Sequence, residues 1–282
     1  MNYADLFFQS DDGLTLYARD YAGPSAEAPV VLCLHGLTRN SKDFWRLAEH
    51  MQARARVVVP DTRGRGRSAR DPNPANYRMD RYARDMIGLL DHLGIDRAHL
   101  IGTSMGGLIS MLILHSAPRR VTSLVINDIG PEIDPVGLAR IASYAGKNMA
   151  APDWRTAAAQ VRASNEVAFL DYTESDWHAM ACDLFVQHGN RVVLDYDPAI
   201  AHGLADGTVA PDLWPVFAAL ERRPMLVVRG EVSDILSRAT VERMRAEWPG
   251  LHVVSVENRG HTPTLMELAA RSAIDELHRL GG

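Results

Sequence analysis

Short apolar runs alternate along this chain with segments of helical periodicity, and this alternation limits the folds that the chain can form. Strands that are apolar on both faces are typical of a parallel sheet covered by helices on both sides. An N-terminal hairpin, Asp5–Gln9 and Leu14–Tyr21, precedes the apolar runs, which are Pro29–Leu34, Val57–Val59, His99–Ile101, Val121–Ile126, Met225–Val228 and Leu251–Val256. With amphipathic helices predicted over Arg78–Leu93, Met105–Ala117 and Thr264–Leu280, the pattern predicts an α/β fold with a doubly wound, mostly parallel sheet.

The alternation stops between Ile126 and Pro224, where no convincing buried strand is present. Helical patterns are clearest at Asp153–Phe169, Ser175–His188 and Asp212–Leu220. Residues 131–220 carry twelve acidic and five basic side chains, so this part of the chain is more acidic than the rest. We therefore predict a helical cap at 131–221, inserted after the sixth strand, on a core formed by 1–130 and 222–282.

Composition excludes several classes of partner. The chain of 282 residues has a net charge of −5, which predicts no attraction for nucleic acid or for an anionic membrane. No apolar run approaches the ~20 residues that a membrane span needs. Two cysteines, Cys33 and Cys182, do not make a disulfide scaffold, so we expect a protein of the reducing cytoplasm. We also expect a monomer or homodimer whose partner is a small-molecule substrate. The basic run Arg63, Arg65, Arg67 and Arg70 is expected to form a solvated or internally paired loop.

A nucleophile is predicted at Ser104, in the sequence Gly102-Thr-Ser104-Met-Gly106. The motif follows an apolar strand and opens a helix, so the chain must turn sharply there. Glycines on both sides allow strand and helix to approach closely, and the residue at the tip projects its side chain at the positive end of the helix. A serine in that position is a nucleophile once a base takes its proton.

His261 is the predicted base, because Gly260-His261-Thr-Pro263 follows a strand at the edge of the sheet where ligands bind in open α/β folds. Asp234, after the strand Met225–Val228, is the predicted acid that orients the imidazole. The alternatives for the acid are Asp128, after the strand Val121–Ile126, and the two glutamates Glu231 and Glu257.

An oxyanion hole is predicted from two backbone N–H groups, those of Leu37 and Met105. His35 is expected to hold the loop that carries Leu37. Aromatic residues of the cap are candidates for a substrate pocket, although packing within the cap is the favoured role for each: Tyr144, Trp154, Trp177 and Trp214. The pattern implies neither a metal ion nor an organic cofactor.

The chain resembles the α/β-hydrolase fold superfamily in five segments: His35-Gly-Leu37, the Asp61–Ser68 loop, Gly102–Gly107, Gly230…Asp234 and Gly260–Pro263. The chain order Ser, Asp, His matches that superfamily. The serine at position 104 separates this chain from the epoxide hydrolases and haloalkane dehalogenases, which have aspartate there. Small-molecule esterases, enol-lactonases and haloperoxidase-like enzymes are the most similar branches.

The resemblance implies a serine hydrolase that cleaves a small carboxylic ester or lactone through an acyl-enzyme on Ser104. Two alternatives stay open from the sequence. One is a carbon–carbon bond hydrolase acting on a diketone, although such enzymes often have tryptophan where this chain has Thr262. The other is a ligand receptor on the same fold that catalyses no reaction.

Overall fold

An eight-stranded sheet forms the centre of the protein in a computed structural model that describes residues 2–147, 149–202 and 212–280. Its strand order is β1-β2-β4-β3-β5-β6-β10-β11. The strands are β1 Ala4–Gln9, β2 Thr15–Tyr21, β3 Val30–Leu34, β4 Arg56–Asp61, β5 Ala98–Thr103, β6 Val121–Asn127, β10 Met225–Gly230 and β11 His252–Val256. From β4 to β11 neighbouring strands run parallel, whereas β1 pairs with β2, and β2 with β4, in antiparallel register. The eight strands correspond to the eight predicted from the sequence.

Helices cover both faces of this sheet, which confirms the doubly wound architecture. The described helices are α1 Trp45–Met51, α2 Met79–His92, α3 Met105–Ser116, α4 Pro135–Tyr144, α5 Trp154–Asn165, α6 Glu174–Leu184, α7 Trp214–Ala218, α8 Arg238–Glu247 and α9 Leu268–Leu280. One buried apolar cluster joins the sheet to α2, α3, α7 and α8. A second joins the opposite face to α1 and α9. The inner strands β3 to β6 and β10 are therefore apolar on both sides, as the sequence runs indicate, whereas the edge strands β1 and β11 are partly exposed.

The segment 131–221, called the insertion from here on, contains α4 to α7 and also a small sheet that the sequence analysis missed. Its strands are β7 Ala150–Ala151, β8 Phe185–His188 and β9 Arg191–Leu194, in the order β7-β9-β8. The helix expected over Ser175–His188 ends at Leu184, because β8 and β9 pair as a hairpin across Gly189-Asn190. Glycine followed by asparagine between two short apolar runs is a hairpin signal that could have been recognised.

The insertion contacts the loops that follow β3 and β4. Asn40 donates a hydrogen bond from Nδ2 to the carbonyl oxygen of Asp183 over 3.0 Å. Lys42 donates from Nζ to the carbonyl oxygen of Phe185 over 3.1 Å and forms an ion pair with Asp195. These contacts place the end of α6 and the start of β8 over the carboxyl edge of the sheet. No helix in the described part of the chain has the length and apolarity needed to cross a membrane.

Candidate active site

Ser104 lies at a sharp turn between β5 and α3. Its backbone is in a left-handed conformation, with φ 51° and ψ −117°, which is costly for a residue with a Cβ. A Cβ at Gly102 would overlap the carbonyl oxygen of Gly106, and a Cβ at Gly106 would overlap that of Leu34. Both glycines are therefore required by the close approach of strand and helix, and together they support the strained serine.

His261 lies in the loop between β11 and α9, and its imidazole reaches Ser104. The Nε2 atom is 2.8 Å from the serine Oγ, so it accepts the hydroxyl proton when Nδ1 carries the ring proton. The imidazole is largely buried, with 7% of its side chain exposed. The structure thus brings together the two side chains that the sequence predicts as nucleophile and base.

Asp128 is the carboxylate next to His261. Its Oδ2 atom is 2.9 Å from the imidazole Nδ1. The carboxylate is fully buried and accepts two further hydrogen bonds, from the Gly230 N–H at 2.8 Å and from the Ser233 hydroxyl at 2.6 Å. A buried carboxylate needs such hydrogen-bond partners, and these partners also fix its orientation.

The prediction that Asp234 is the partner of His261 is wrong. Asp234 instead accepts hydrogen bonds from Arg140 of α4, at 2.5 Å from Nε and at 2.8 Å from the second guanidinium nitrogen. Burial opposes ionisation of Asp234, but the hydrogen bonds and the charge of Arg140 outweigh it and lower the pKa of this carboxyl. The sequence places both Asp128 and Asp234 beyond strand ends at one edge of the sheet, so spacing alone did not separate them. Asp128 takes the position because it follows β6 directly, with φ 55°.

The two predicted oxyanion donors belong to segments next to the nucleophile, since Met105 follows Ser104 and a Cβ at Gly36, which precedes Leu37, would lie 3.7 Å from the Ser104 Cβ. Met105 is the first residue of α3, so its N–H has no acceptor within the helix. Leu37 follows β3 in the turn after Gly36, and its N–H makes no hydrogen bond to any residue that the structure describes. Both N–H groups are therefore available to a ligand atom.

A buried arginine, Arg65, contacts both of these residues. Its Nε donates to the carbonyl oxygen of Leu37 over 3.0 Å, and a terminal nitrogen is 3.6 Å from the Met105 Sδ. The other terminal nitrogen donates to the Tyr82 hydroxyl and to the Arg63 carbonyl oxygen, each over 2.8 Å. Arg65 is fully buried, and among the described residues no carboxylate forms an ion pair with it. The sequence did not predict that Arg65 is buried beside Leu37 and Met105, because an arginine in a glycine-rich loop carries no signal of burial.

His35 holds the same loop through two hydrogen bonds. Its Nδ1 donates to the Gly36 carbonyl oxygen over 2.7 Å, and its Nε2 accepts from the Thr62 N–H over 3.1 Å. The ring is fully buried, and burial lowers the pKa of His35 to about 4. The imidazole is therefore neutral at physiological pH, which fits one donor and one acceptor nitrogen.

A cavity of about 400 Å³ lies between the core and the insertion, and Ser104 and His261 line it. Of the four aromatic residues predicted for a pocket, Tyr144 lines this cavity. Trp154, Trp177 and Trp214 do not. Trp177 packs edge-on against Phe169 and Tyr172 within the insertion, with Trp154 against the same cluster. Trp214 packs against Phe217 on the core, and its indole N–H donates to Glu132.

Comparisons with known proteins identify relatives of this chain. A 3-hydroxybutyrate-oligomer hydrolase from Cupriavidus necator is 35% identical over 274 residues, which is 92% of each chain. A 2-(acetamidomethylene)succinate hydrolase from Mesorhizobium japonicum is 27% identical over 260 residues, covering 88% of this chain and 85% of the relative. A solved α/β hydrolase from Novosphingobium aromaticivorans is 40% identical and superposes with a TM-score of 0.92 over 98% of each chain.

The family model for the alpha/beta hydrolase fold matches residues 29–265, from β3 to the turn beyond His261. That range contains the serine turn, the imidazole and both carboxylates discussed above. With this match, the relatives and the doubly wound sheet in agreement, the chain belongs to the α/β hydrolase fold family.

Proposed function

We propose that this protein is a serine hydrolase that cleaves a small carboxylic ester or lactone through an acyl-enzyme on Ser104. The observation that carries the proposal is the continuous chain of hydrogen bonds from Ser104 through His261 to Asp128, at 2.8 and 2.9 Å. A ligand receptor has no need of a base aligned on a strained serine. The alignment therefore favours catalysis over binding alone.

In the proposed first half-reaction, Ser104 Oγ attacks the carbonyl carbon while His261 Nε2 takes its proton. The negative tetrahedral oxygen accepts hydrogen bonds from the N–H groups of Leu37 and Met105. The imidazolium then gives its proton to the departing alkoxide, which leaves the acyl-enzyme. Asp128 holds the Nδ1 proton throughout and stabilises the positive imidazolium.

The second half-reaction repeats these steps with water. His261 removes a proton from the water molecule, which attacks the acyl carbon, and the same two N–H groups receive the oxyanion. Collapse of this intermediate returns the proton to Ser104 and releases the acid. His261 carries every proton transfer in the scheme, between Ser104, the leaving alkoxide and water.

The proposed substrate is argued from the volume of the cavity and from the substrates of the relatives. A volume of about 400 Å³ is at the small end of ligand sites, so it suits a short ester. The relative from Cupriavidus necator is described as acting on oligomers of 3-hydroxybutyrate, a hydroxy acid. A short ester of a hydroxy acid is accordingly the first substrate to test.

A fluorophosphonate probe tests the nucleophile. The probe is expected to label the peptide that contains Ser104, and the Ser104→Ala variant is expected to lose both labelling and ester turnover. A parallel screen of aryl esters, lactones and diketones measures the reaction type. Labelling at another residue, or turnover of a diketone without any ester, would contradict the proposal.

A further inference from the structure

A polar corner of the cavity lies where the core meets the insertion, and it is formed by Arg39, Asp43 and Asp183. Arg39 and Asp43 follow β3, and Asp183 is near the end of α6. Arg39 donates from Nε to both carboxylate oxygens of Asp43, at 2.9 and 2.7 Å. Asp43 thereby fixes the direction of the guanidinium while using one of its three nitrogens.

The other two guanidinium nitrogens of Arg39 have no acceptor among the described residues. The start of the Arg39 side chain lies near the reacting centre, and Arg39 and Ser104 line the same cavity. A Cβ at Gly36 would lie 3.4 Å from the Arg39 Cγ and 3.7 Å from the Ser104 Cβ. Arg39 therefore offers hydrogen-bond donors to a molecule whose scissile bond lies at Ser104.

Asp183 complements Arg39, because its carboxylate is an acceptor that receives no hydrogen bond from a described residue. Within residues 2–147, 149–202 and 212–280, no group donates a hydrogen bond to its carboxylate. Burial and the nearby charge of Asp43 raise the pKa of Asp183 to about 6, against the opposing charges of Arg39, Lys42 and Arg46. At neutral pH the side chain is mainly ionised, and because it lines the cavity, a ligand that donates a hydrogen bond can reach its oxygens.

Arg39 and Asp183 are close enough to influence each other electrostatically but form no ion pair or hydrogen bond. A hydroxyl group satisfies both, because it accepts a hydrogen bond from the guanidinium and donates its proton to the carboxylate. A carboxylate would satisfy Arg39 but would be repelled by Asp43 and Asp183. An ammonium group would satisfy Asp183 but would be repelled by Arg39.

We propose that the polar corner binds a hydroxyl group of the substrate, so that the enzyme selects esters of hydroxy acids over the corresponding plain esters. The inference rests on the proposed function, since it assigns a substrate class to the same site. Arg39 and Asp183 are specificity residues in this scheme, and neither takes part in proton transfer at Ser104.

The experiment compares ethyl 3-hydroxybutyrate, each enantiomer separately, with ethyl butyrate. The measured quantity is the ratio of the two kcat/KM values, in which effects on the common chemistry cancel. The wild-type enzyme is expected to prefer the better hydroxy ester by about 10- to 100-fold, the range for hydrogen bonds to charged groups. In Asp183→Leu and Arg39→Met this ratio should fall toward one.

Asp171→Asn is the matched control. It also removes a carboxylate from the insertion, but Asp171 pairs with Arg259 and does not line the cavity. Its ratio should remain that of the wild type. Thermal unfolding checks that each variant is folded, which is expected for Asp183→Leu because no described residue bonds to that carboxylate.

Three results would overturn the inference: a wild-type ratio near one, a high ratio that neither variant reduces, or faster turnover of monoethyl succinate or ethyl 4-aminobutyrate than of the hydroxy ester. Failure of the proposed function itself gives results that differ from these three. In that case neither ethyl ester is hydrolysed, or Ser104→Ala retains the wild-type activity.

Discussion

Arg65 donates a hydrogen bond to the carbonyl oxygen of Leu37 over 3.0 Å from a position with no access to solvent. The same guanidinium touches Met105, so one side chain links the two residues whose N–H groups form the proposed oxyanion hole. Its positive charge also lies in a low-dielectric interior, next to the residues that are proposed to stabilise negative charge in the transition state. Electrostatic interactions are strong in such surroundings.

Replacing Arg65 should therefore impair the chemical step more than substrate binding. Arg65→Met is expected to lower kcat by about 10- to 100-fold, below the full loss of one oxyanion donor, with a smaller change in KM. Affinity for a trifluoromethyl ketone inhibitor should fall in parallel. Arg67→Met, in the same loop but half exposed, is the control and should change neither. Arg65→Lys should recover part of kcat. A loss confined to KM would contradict this role.

The position of the acid predicts unequal effects of two substitutions. Asp128→Asn should lower kcat by about 10³- to 10⁴-fold, because an amide donor at Nδ1 moves the ring proton to Nε2, which then cannot accept from Ser104. Asp234→Asn should cost far less, since its carboxylate pairs with Arg140. Steady-state kinetics on one aryl ester, with circular dichroism to verify folding, measures both. The reverse order of effects would indicate that Asp234, in the loop after β10, is the acid that orients His261.

Buried histidines should make the protein sensitive to acid. Burial lowers the pKa of His35 and of His99 to about 4, with the charges of His278 and Arg97 adding to the effect on His99. Because these values lie below those of the unfolded chain, the unfolded state binds more protons as the pH falls from about 6.5 to about 4. Stability is fully present above this window and is lost within it, by up to about 1.4 kcal/mol per pH unit for each group.

Urea unfolding at several pH values measures this loss. His99→Asn keeps a polar atom near Ser123 and should make the free energy of unfolding less dependent on pH. His115→Asn, at an exposed position, should leave the wild-type slope unchanged. Equal slopes in all three proteins would show that His99 does not contribute.

Two glycine substitutions should change the free energy of unfolding in opposite directions. Gly106→Ala places a Cβ against the carbonyl oxygen of Leu34, so it should destabilise the serine turn and abolish probe labelling of Ser104. Gly88 lies in α2 with no heavy atom within 4 Å of the added Cβ, so Gly88→Ala should raise the free energy of unfolding by about 0.5–1 kcal/mol. Chemical denaturation of both variants checks this contrast. A neutral effect of Gly106→Ala would mean that the turn can relax.

The sequence predicted the inner strands of the large sheet from their apolar runs and the first two strands from the hairpin signal at Asp12-Gly13. It predicted Ser104 and His261 because both follow apolar strands. The choice between Asp128 and Asp234 depended on side-chain directions that chain order does not encode. The hairpin of β8 and β9 was missed because Val186 and His188 were assigned to the preceding helical pattern. The burial of Arg65 and the gap between Arg39 and Asp183 are products of tertiary packing, which no local pattern predicts.

The bond between Asp234 and Arg140 joins a loop of the core to the first helix of the insertion. Because Asp128 is the carboxylate bonded to the imidazole, Asp234 is left to attach the insertion to the core. Replacing residues 234 and 140 together by another complementary pair should therefore keep the insertion attached to the core and leave the hydrogen bonds of His261 in place.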